Sequence, residues 1–248
     1  AYFIQNGGQI SNNFAAWRGG GLFILDGQGT LNAGEIISNT ATYGGGVYVY
    51  NPDGFFTQTG GSVASNQSTR VDAYGGGGMY IFEGSADLLG GDFSNNTALN
   101  NGGGLQLRFG TLLINGTNFI GNQADFDNDG TGQGDAIYND NGILKIYNSS
   151  FEANGETAVT IVGGTNEIVG NNFASHTTVF EVTDEVLPPT ITLYANNILT
   201  YTTGISQTGS TTAFFNGFNW WGSANPTGVG SSNATDFRLG APVVDWSN

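Results

Sequence analysis

The chain has 248 residues, with 42 glycines, five prolines and no cysteine, and its 20 acidic against five basic residues give a net charge of −15. Such a polyanion repels phosphate, so nucleic acid and anionic membrane surfaces are excluded as partners, and the lack of cysteine excludes disulfides and thiolate metal sites. Aliphatic and aromatic residues remain plentiful, which predicts a folded core rather than disorder or a collagen-like chain.

A first motif consists of a bulky apolar residue, two variable residues and then usually asparagine, and it recurs every 22 to 32 residues. Its copies are Ile10 and Asn13, Ile36 and Asn39, Val63 and Asn66, Phe93 and Asn96, Phe119 and Asn122, and Phe151 and Asn154, with degenerate continuations at Phe173 and His176 and at Ile198 and Tyr201. We expect the apolar residue to point into a core and the asparagines to stack and bind turn backbone groups. His176, the sole histidine, is then a substituted ladder residue rather than a catalytic one.

A second motif is a glycine triplet followed by a strand-like run, beginning at Gly19, Gly44, Gly76 and Gly102, with a weaker copy at Gly134. Glycine permits a positive φ and close backbone approach where a chain bends sharply. Because each unit holds short β-like runs between turns and no helical period, the sequence predicts an all-β fold: a single right-handed parallel β-helix, or solenoid, of about eight coils.

The domain organisation is predicted from where along the chain the two motifs are regular and where they are degenerate. We predict one parallel β-helix domain over residues 1–248, with regular coils in 1–140, degenerate coils in 141–215, a loop excursion around 186–189 and a C-terminal closing segment in 216–248. The first residues already match the middle of a coil and have no amphipathic cap. We therefore expect the chain to be cut from a longer helix or to pack its first coil on another molecule. No apolar run approaches the roughly 18 residues that cross a bilayer, so we expect no direct membrane insertion.

Two features carry a family resemblance. The glycine-rich strands with Val47-Tyr48 and Met79-Tyr80, together with the Phe-x-x-Asn units, resemble the repeats of chlamydial polymorphic outer membrane proteins and related bacterial surface β-helices over about residues 1–160. The segment Asn219-Trp220-Trp221-Gly222, followed by Pro226 and by Val243-Val244-Asp245-Trp246, resembles the closing element of secreted β-helix proteins. The resemblance implies an extracellular or cell-surface location and an adhesive or structural role.

The longest loop, between Asn122 and the fifth glycine motif, is acidic. Its carboxylates at alternate positions converge if Gly130 permits a tight turn, and oxygen ligands of this kind suit Ca²⁺. It resembles the Asp-x-Asp-x-Asp-Gly loops of EF-hand-like proteins, although Ala136 stands where those have a final glutamate. The alternative is an acidic turn without an ion. We expect a structural Ca²⁺ with these ligands: Asp125, Asp127, Asp129, Thr131 through its carbonyl, and Asp135.

The strands after the glycines are apolar at nearly every position. If their first and third residues point inward, the others form an outward face made of Phe23, Leu25, Tyr48, Tyr50, Tyr80 and Phe82. We interpret this face as a docking surface for a second copy of the chain, giving a homo-oligomer or filament, or for another surface protein or a glycan. The alternative is stacking between coils or cover by the protein's own loops.

A parallel β-helix can also carry a polysaccharide lyase or glycosidase, whose site needs carboxylates, or a basic residue beside them, on neighbouring coils. Arg108, Asp140 and Lys145 form the one plausible set, and we expect them not to fall on aligned positions. We therefore predict no enzyme and no catalytic residues. The predicted function is a calcium-stabilised structural or adhesive module at the cell surface, with a carbohydrate-active enzyme as the alternative.

Overall fold

The computed structural model describes residues 1–183, 189–208, 214–215, 218–221 and 238–239. Most of the expected excursion at 186–189 and most of the closing segment, including Gly222, Pro226 and residues 243–246, therefore lie outside the described residues. Over the described ranges the fold consists of β-strands and turns, without a helix, and all strand pairs are parallel.

The strands are short and follow one another in the same order in each coil. The first half contains β1 (Tyr2–Ser11), β2 (Phe14–Arg18), β3 (Leu22–Ile24), β4 (Gln28–Ile37), β5 (Thr40–Tyr43), β6 (Val47–Tyr50), β7 (Phe55–Gln58), β8 (Ser62–Ala64), β9 (Gln67–Ser68), β10 (Met79–Phe82), β11 (Ser85–Leu88), β12 (Asp92–Ser94), β13 (Thr97–Ala98), β14 (Leu105–Arg108), β15 (Thr111–Asn115) and β16 (Asn118–Ile120). The second half contains β17 (Ile137–Asp140), β18 (Ile143–Tyr147), β19 (Ser150–Glu152), β20 (Thr157–Ile161), β21 (Thr165–Val169), β22 (Asn172–Ala174), β23 (His176–Thr183), β24 (Thr190–Tyr194), β25 (Asn197–Ile198), β26 (Tyr201–Thr208), β27 (Phe214–Phe215), β28 (Phe218–Asn219) and β29 (Arg238–Leu239).

These strands stack into a parallel β-solenoid of about eight coils, as the repeat predicts. One sheet has the order β26-β23-β20-β17-β14-β10-β6-β3. A second sheet of 15 strands runs from β25 through β4 to β27, and its remaining strand, β1, pairs with β4 beside this path. The strand β4 joins the two arms of the second sheet, because its start pairs with β7 and its end with β8. That sheet therefore bends round the coil and forms two faces, and the four strands β13-β9-β5-β2 form a shorter sheet at the following corner.

The core is built from columns of like residues, one from each coil. Phe93, Phe119, Phe151 and Phe173 are fully buried, and their ring centroids lie 5.2, 5.0 and 4.7 Å apart along the column. Stacking of identical side chains follows from residue-to-residue parallel register, which places each member directly over its counterpart. The expectation that the apolar residue of the first motif points inward is thus confirmed.

The asparagines of the first motif form a buried ladder beside this column. Asn66 donates its backbone N–H and its Nδ2–H to Oδ1 of Asn96, both at 3.0 Å, and Asn96 repeats the pattern on Asn122 at 3.1 and 3.0 Å. The Nδ2 of each asparagine also reaches back one coil, as in the 2.9 Å bond from Asn96 to the carbonyl of Val63. The side chains therefore satisfy turn groups that the strands cannot reach.

The glycine triplets lie at the turn that precedes β6, β10 and β14. The first glycine has left-handed φ values of 60°, 71° and 69° at Gly44, Gly76 and Gly102. A Cβ on the third glycine at Gly78 would lie 2.6 Å from the carbonyl oxygen of Gly104 in the next coil. Only glycine fits both the turn and the close approach of successive coils.

A second ladder, which the sequence did not indicate, lies at another corner of the later coils. Asn171 donates its backbone N–H and its Nδ2–H to Oδ1 of Asn196, both at 3.0 Å, and Asn196 does the same to Asn219 at 3.0 and 2.9 Å. In the earlier coils this corner holds glycines such as Gly34 and Gly61, with φ values of 93° and 74°. The coils that lose the first motif after Asn154 therefore keep an asparagine ladder, but at a different turn.

Candidate functional site

The outward side of the eight-stranded sheet carries the aromatic residues expected there. Val47 and Val49 are fully buried in the core, so Tyr48 and Tyr50 point to the opposite side of the sheet. The register pairs Tyr48 with Tyr80 and Tyr50 with Phe82 in the next coil. The predicted alternation is therefore confirmed.

The rings form two stacked columns along the solenoid axis. Phe23, Tyr48 and Tyr80 stack with centroid distances of 5.4 and 5.1 Å and interplanar angles of 12° and 9°. Tyr50 and Phe82 form the neighbouring column at 5.6 Å. Because the ring faces are turned toward one another, the columns direct ring edges away from the sheet, and ring edges carry the positive end of the aromatic quadrupole.

The chain itself covers part of this face. Tyr48 and Tyr80 are only 4% and 3% exposed, and the Tyr43 ring packs 6.3 and 6.0 Å from theirs. Burial raises the pKa of Tyr48 to about 12, against the lowering effect of Arg18. Tyr48 and Tyr80 were predicted to contact a partner, but the chain's own rings stack on them and cover them, so a partner has almost no access to these two side chains.

The other four expected contacts remain accessible to different degrees. Phe23 and Leu25 are 40% and 44% exposed, whereas Tyr50 and Phe82 are half-buried. Leu25 follows the end of β3 rather than lying inside the strand. The accessible part of the predicted surface thus consists of Phe23, Leu25, Tyr50 and Phe82.

Arginines lie across these rings, which sequence reasoning did not foresee. The guanidinium of Arg18 is 4.7 Å from the Tyr50 centroid and 5.3, 5.5 and 5.9 Å from those of Trp17, Tyr48 and Phe23. Arg18 precedes the first glycine triplet, so no repeat position marked it, and only the turn at those glycines brings it over the sheet. Four rings around one guanidinium provide a cation–π cluster.

Arg108 completes what we call the aromatic–arginine face, whereas Arg70 packs on Tyr43 outside it. Arg108 lies 4.1, 4.9 and 5.5 Å from the Tyr74, Phe109 and Phe82 centroids, and Arg70 lies 5.2 Å from that of Tyr43. We define the face by the accessible aromatic-sheet residues and the groups packed on them: Trp17, Arg18, Phe23, Leu25, Tyr50, Phe82, Arg108 and Phe109.

The ion pairs correct one expectation. Arg108 and Asp140 do fall on aligned positions, since β14 and β17 pair them directly, and Arg108 Nε lies 3.0 Å from Asp140 Oδ2. Lys145 lies in the other sheet and forms a 4.0 Å pair with Glu167. The glycine motifs already imply this alignment, because Arg108 follows Gly102 and Asp140 follows Gly134 by the same number of residues.

The acidic loop brings three of its carboxylates together. Ligand oxygens of Asp125, Asp127 and Asp129 lie within 4.8 Å of one another. The Asp125 carboxylate accepts the backbone N–H groups of Asp129 and Gly130, and Asp129 Oδ1 accepts both the backbone N–H and the hydroxyl of Thr131 at 3.0 and 2.6 Å. The hydrogen bond from the Thr131 hydroxyl lowers the pKa of the exposed Asp129, and carboxylate oxygens are the hard ligands that Ca²⁺ prefers.

Asp135 is not part of that group. It occupies the middle glycine position of the fifth glycine motif, is only 6% exposed, and accepts the N–H groups of Ala124 at 2.8 Å and Thr157 at 2.7 Å. Gly155 leaves room for its carboxylate, because a Cβ there would lie 2.1 Å from Asp135 Oδ1. Burial raises the pKa of Asp135 to about 6, while the two backbone donors oppose that rise. Its role is to fasten the acidic loop to the next coil rather than to join the carboxylate group.

A polar cavity of about 320 Å³ lies beside the loop. Asp135, Glu156 and Glu181 line it together with Asp125 and Asn128. The three carboxylates come from consecutive coils, and burial raises the pKa of Glu181 as it does that of Asp135. Burial therefore disfavours the charged form of both Asp135 and Glu181 at this cavity.

His176 takes the ladder position after Asn154, as expected. Its Nδ1 lies 3.0 Å from the carbonyl oxygen of Asn154 and its Nε2 lies 3.2 Å from that of Phe151. It is 5% exposed, and burial lowers its pKa although the two carbonyls oppose this. A neutral imidazole has one N–H and serves only one of these acceptors, so His176 ends the ladder less completely than asparagine does.

Comparison with known protein families, with curated proteins and with solved structures finds no match to this chain. The likeness to chlamydial repeats and to a secreted closing element therefore rests on the quoted motifs, while the parallel β-solenoid rests on the structure. Within the described ranges no helix is long and apolar enough to span a membrane.

Proposed function

We propose that the chain is a structural and adhesive β-solenoid module at the cell surface or outside the cell, which docks a partner through the aromatic–arginine face. The observation that carries this proposal is the concentration of rings and arginines on one side of a chain whose net charge is −15. Tyrosine, tryptophan and arginine are the side chains most enriched where proteins bind partners. The motif resemblance supports the location.

Exposure of the outermost rings supports the same proposal. Trp17 is 64% and Phe109 is 50% exposed, and both rest on an arginine. The remaining rings beneath them are stacked and held in place, so a partner would meet a rigid surface and lose little conformational entropy on binding.

The test is a binding panel of glycans and extracellular proteins probed with wild type, with Trp17→Ser and with Phe109→Ser. A matched control is Ile143→Ser, which removes a side chain of 45% exposure from a different face of the solenoid. We expect the Trp17 and Phe109 variants to lose a wild-type interaction at least tenfold, and the Ile143 variant to retain it. Equal binding by all four proteins would contradict docking through this face.

We further propose that the carboxylate group of Asp125, Asp127 and Asp129 holds a structural Ca²⁺, with the Thr131 carbonyl as an added ligand. Three carboxylates within 4.8 Å repel one another unless a cation lies between them. Calcium at about 100 times its dissociation constant would stabilise the fold by about 2.7 kcal/mol, which raises the melting temperature by roughly 5–10 °C.

Melting curves in calcium and in chelator measure this effect directly. The control is Asp127→Asn, which keeps the shape of the side chain but removes one charge, and we expect its curve to be much less sensitive to chelator. An unchanged wild-type melting temperature in chelator would contradict the ion site without bearing on the aromatic–arginine face.

A second candidate function is carbohydrate cleavage in the polar cavity. It is favoured by one observation, the three carboxylates Asp135, Glu156 and Glu181 from consecutive coils around about 320 Å³. A raised pKa suits a general acid and an ionised neighbour suits a base or nucleophile. Cleavage of a polysaccharide panel that is abolished by Glu181→Gln would support it, and an absence of cleavage by wild type across the panel would exclude those substrates.

A further inference from the structure

Arg18 differs from the other basic side chains that the structure describes. Arg70 pairs with Asp72, Arg108 with Asp140 and Lys145 with Glu167, whereas Arg18 has no ion pair with any described residue. Its Nε is buried without a hydrogen-bond partner. The residue is half-buried against four rings, so it is held in place without being neutralised.

Because the Nε of Arg18 is buried, a ligand can reach the guanidinium only through its two terminal nitrogens. A guanidinium stacks on aromatic rings through its planar face, and its N–H groups lie in that plane and point outward. Those N–H groups match the two oxygens of a carboxylate in a bidentate pair. Arg18 over Tyr50 and Trp17, at 4.7 and 5.3 Å, is therefore preorganised to bind one carboxylate.

The charge of the whole chain limits what that carboxylate can belong to. A net charge of −15 repels a polyanion at long range, and a second copy of the chain carries the same charge. A ligand with one carboxylate on an otherwise neutral body meets much less of this repulsion, because the repulsion grows with the number of negative charges that the ligand carries. Contact with Arg18 then dominates its recognition.

The rings beside Arg18 favour a sugar as the neutral body. Trp17 is 64% exposed and offers a broad apolar surface on which the C–H face of a pyranose can pack, and the Tyr50 ring centroid lies 4.7 Å from the same guanidinium. We propose that Arg18, with Trp17 and Tyr50, binds a glycan whose terminal sugar carries a single carboxylate. This inference rests on the proposed docking function of the aromatic–arginine face and names its ligand class.

The experiment compares the affinity of the full chain for 3′-sialyllactose, which has one carboxylated sugar, with that for neutral lactose. A charged hydrogen-bonded pair predicts a preference of roughly tenfold or more for the acidic sugar. Arg18→Gln should abolish that preference, and Arg18→Lys should retain part of it, since lysine keeps the charge but lacks the planar fork. The control Arg70→Gln removes an arginine that already pairs with Asp72 and should leave both affinities unchanged.

Three results would overturn the proposal. They are equal binding of the two sugars, loss of the preference in Arg70→Gln but not in Arg18→Gln, and binding of a short peptide through its terminal carboxylate in place of the glycan. Melting curves for Arg18→Gln and Arg18→Lys establish that both variants are folded. If lactose and sialyllactose bind equally and Trp17→Ser weakens both, the ligand class is wrong but the docking face stands. If neither sugar binds and Trp17→Ser leaves the affinity for the panel ligands unchanged, both proposals fail.

Discussion

Removal of one rung of the asparagine ladder tests whether these side chains hold the coils together. Asn96 is fully buried, and its Oδ1 accepts two hydrogen bonds from Asn66 at 3.0 Å each. Its Nδ2 donates to the carbonyl of Val63 at 2.9 Å and to Asn122 Oδ1 at 3.0 Å. Asn96→Ala deletes all four bonds and leaves the backbone N–H of Asn66 buried without this acceptor.

The expected loss in the free energy of unfolding follows from the groups that Asn96→Ala leaves without hydrogen-bond partners. A buried donor or acceptor that loses its partner costs about 1–3 kcal/mol, and Asn66 N–H and the Val63 carbonyl are the two most affected, so we expect a loss of about 4 kcal/mol. Urea unfolding of wild type and variant measures it. The control is Asn118→Ala, an exposed asparagine with one bond to Asp92, for which we expect a change within about 0.5 kcal/mol. A loss below about 1 kcal/mol in Asn96→Ala would refute the role of the ladder.

Three further predictions concern the core and two buried ionisable groups. Phe119→Ala, between rings at 5.2 and 5.0 Å, should lower the free energy of unfolding by about 3–5 kcal/mol in urea, and a loss below about 2 kcal/mol would contradict the ring column. Burial raises the pKa of Asp135 from 3.8 to about 6, so its contribution to stability is full below pH 3.8 and is lost as the pH rises through 6. The stability of wild type relative to Asp135→Asn should therefore fall by about 3 kcal/mol from pH 4 to 7, and a constant difference would count against this burial. Burial lowers the pKa of His176 below 6.5, so the contribution of His176 to stability is present above pH 6.5 and is lost as the pH falls. The melting temperature should therefore drop less between pH 7 and 5 in His176→Asn than in wild type. An equal drop in both proteins would contradict this reasoning.

The sequence predicts which kinds of residue form much of the candidate site, but not which of these residues touch one another. Alternation along Val47 to Tyr50 gave the outward side of Tyr48 and Tyr50, because side chains on a strand point to opposite faces by turns. It could not show that Tyr43 and Arg18 lie over Tyr48, since they end β5 and β2, which belong to the short sheet on another side of the coil. The acidic loop was evident from its spacing, but the diversion of Asp135 depends on N–H groups of Ala124 and Thr157 in different coils.

The solenoid, its coil count and the stacking of phenylalanines and asparagines all follow from the sequence repeat. These features repeat in every coil, and a parallel register turns a sequence repeat directly into a spatial column. Tertiary structure was needed to show which side chains meet from different parts of neighbouring coils, as Asp135 does with Thr157 and Arg18 with Tyr50. The physical reason is that insertions of different length between the strands change the spacing in sequence without changing the stacking of the coils. Contacts made outside the paired strands therefore do not follow the period of the repeat.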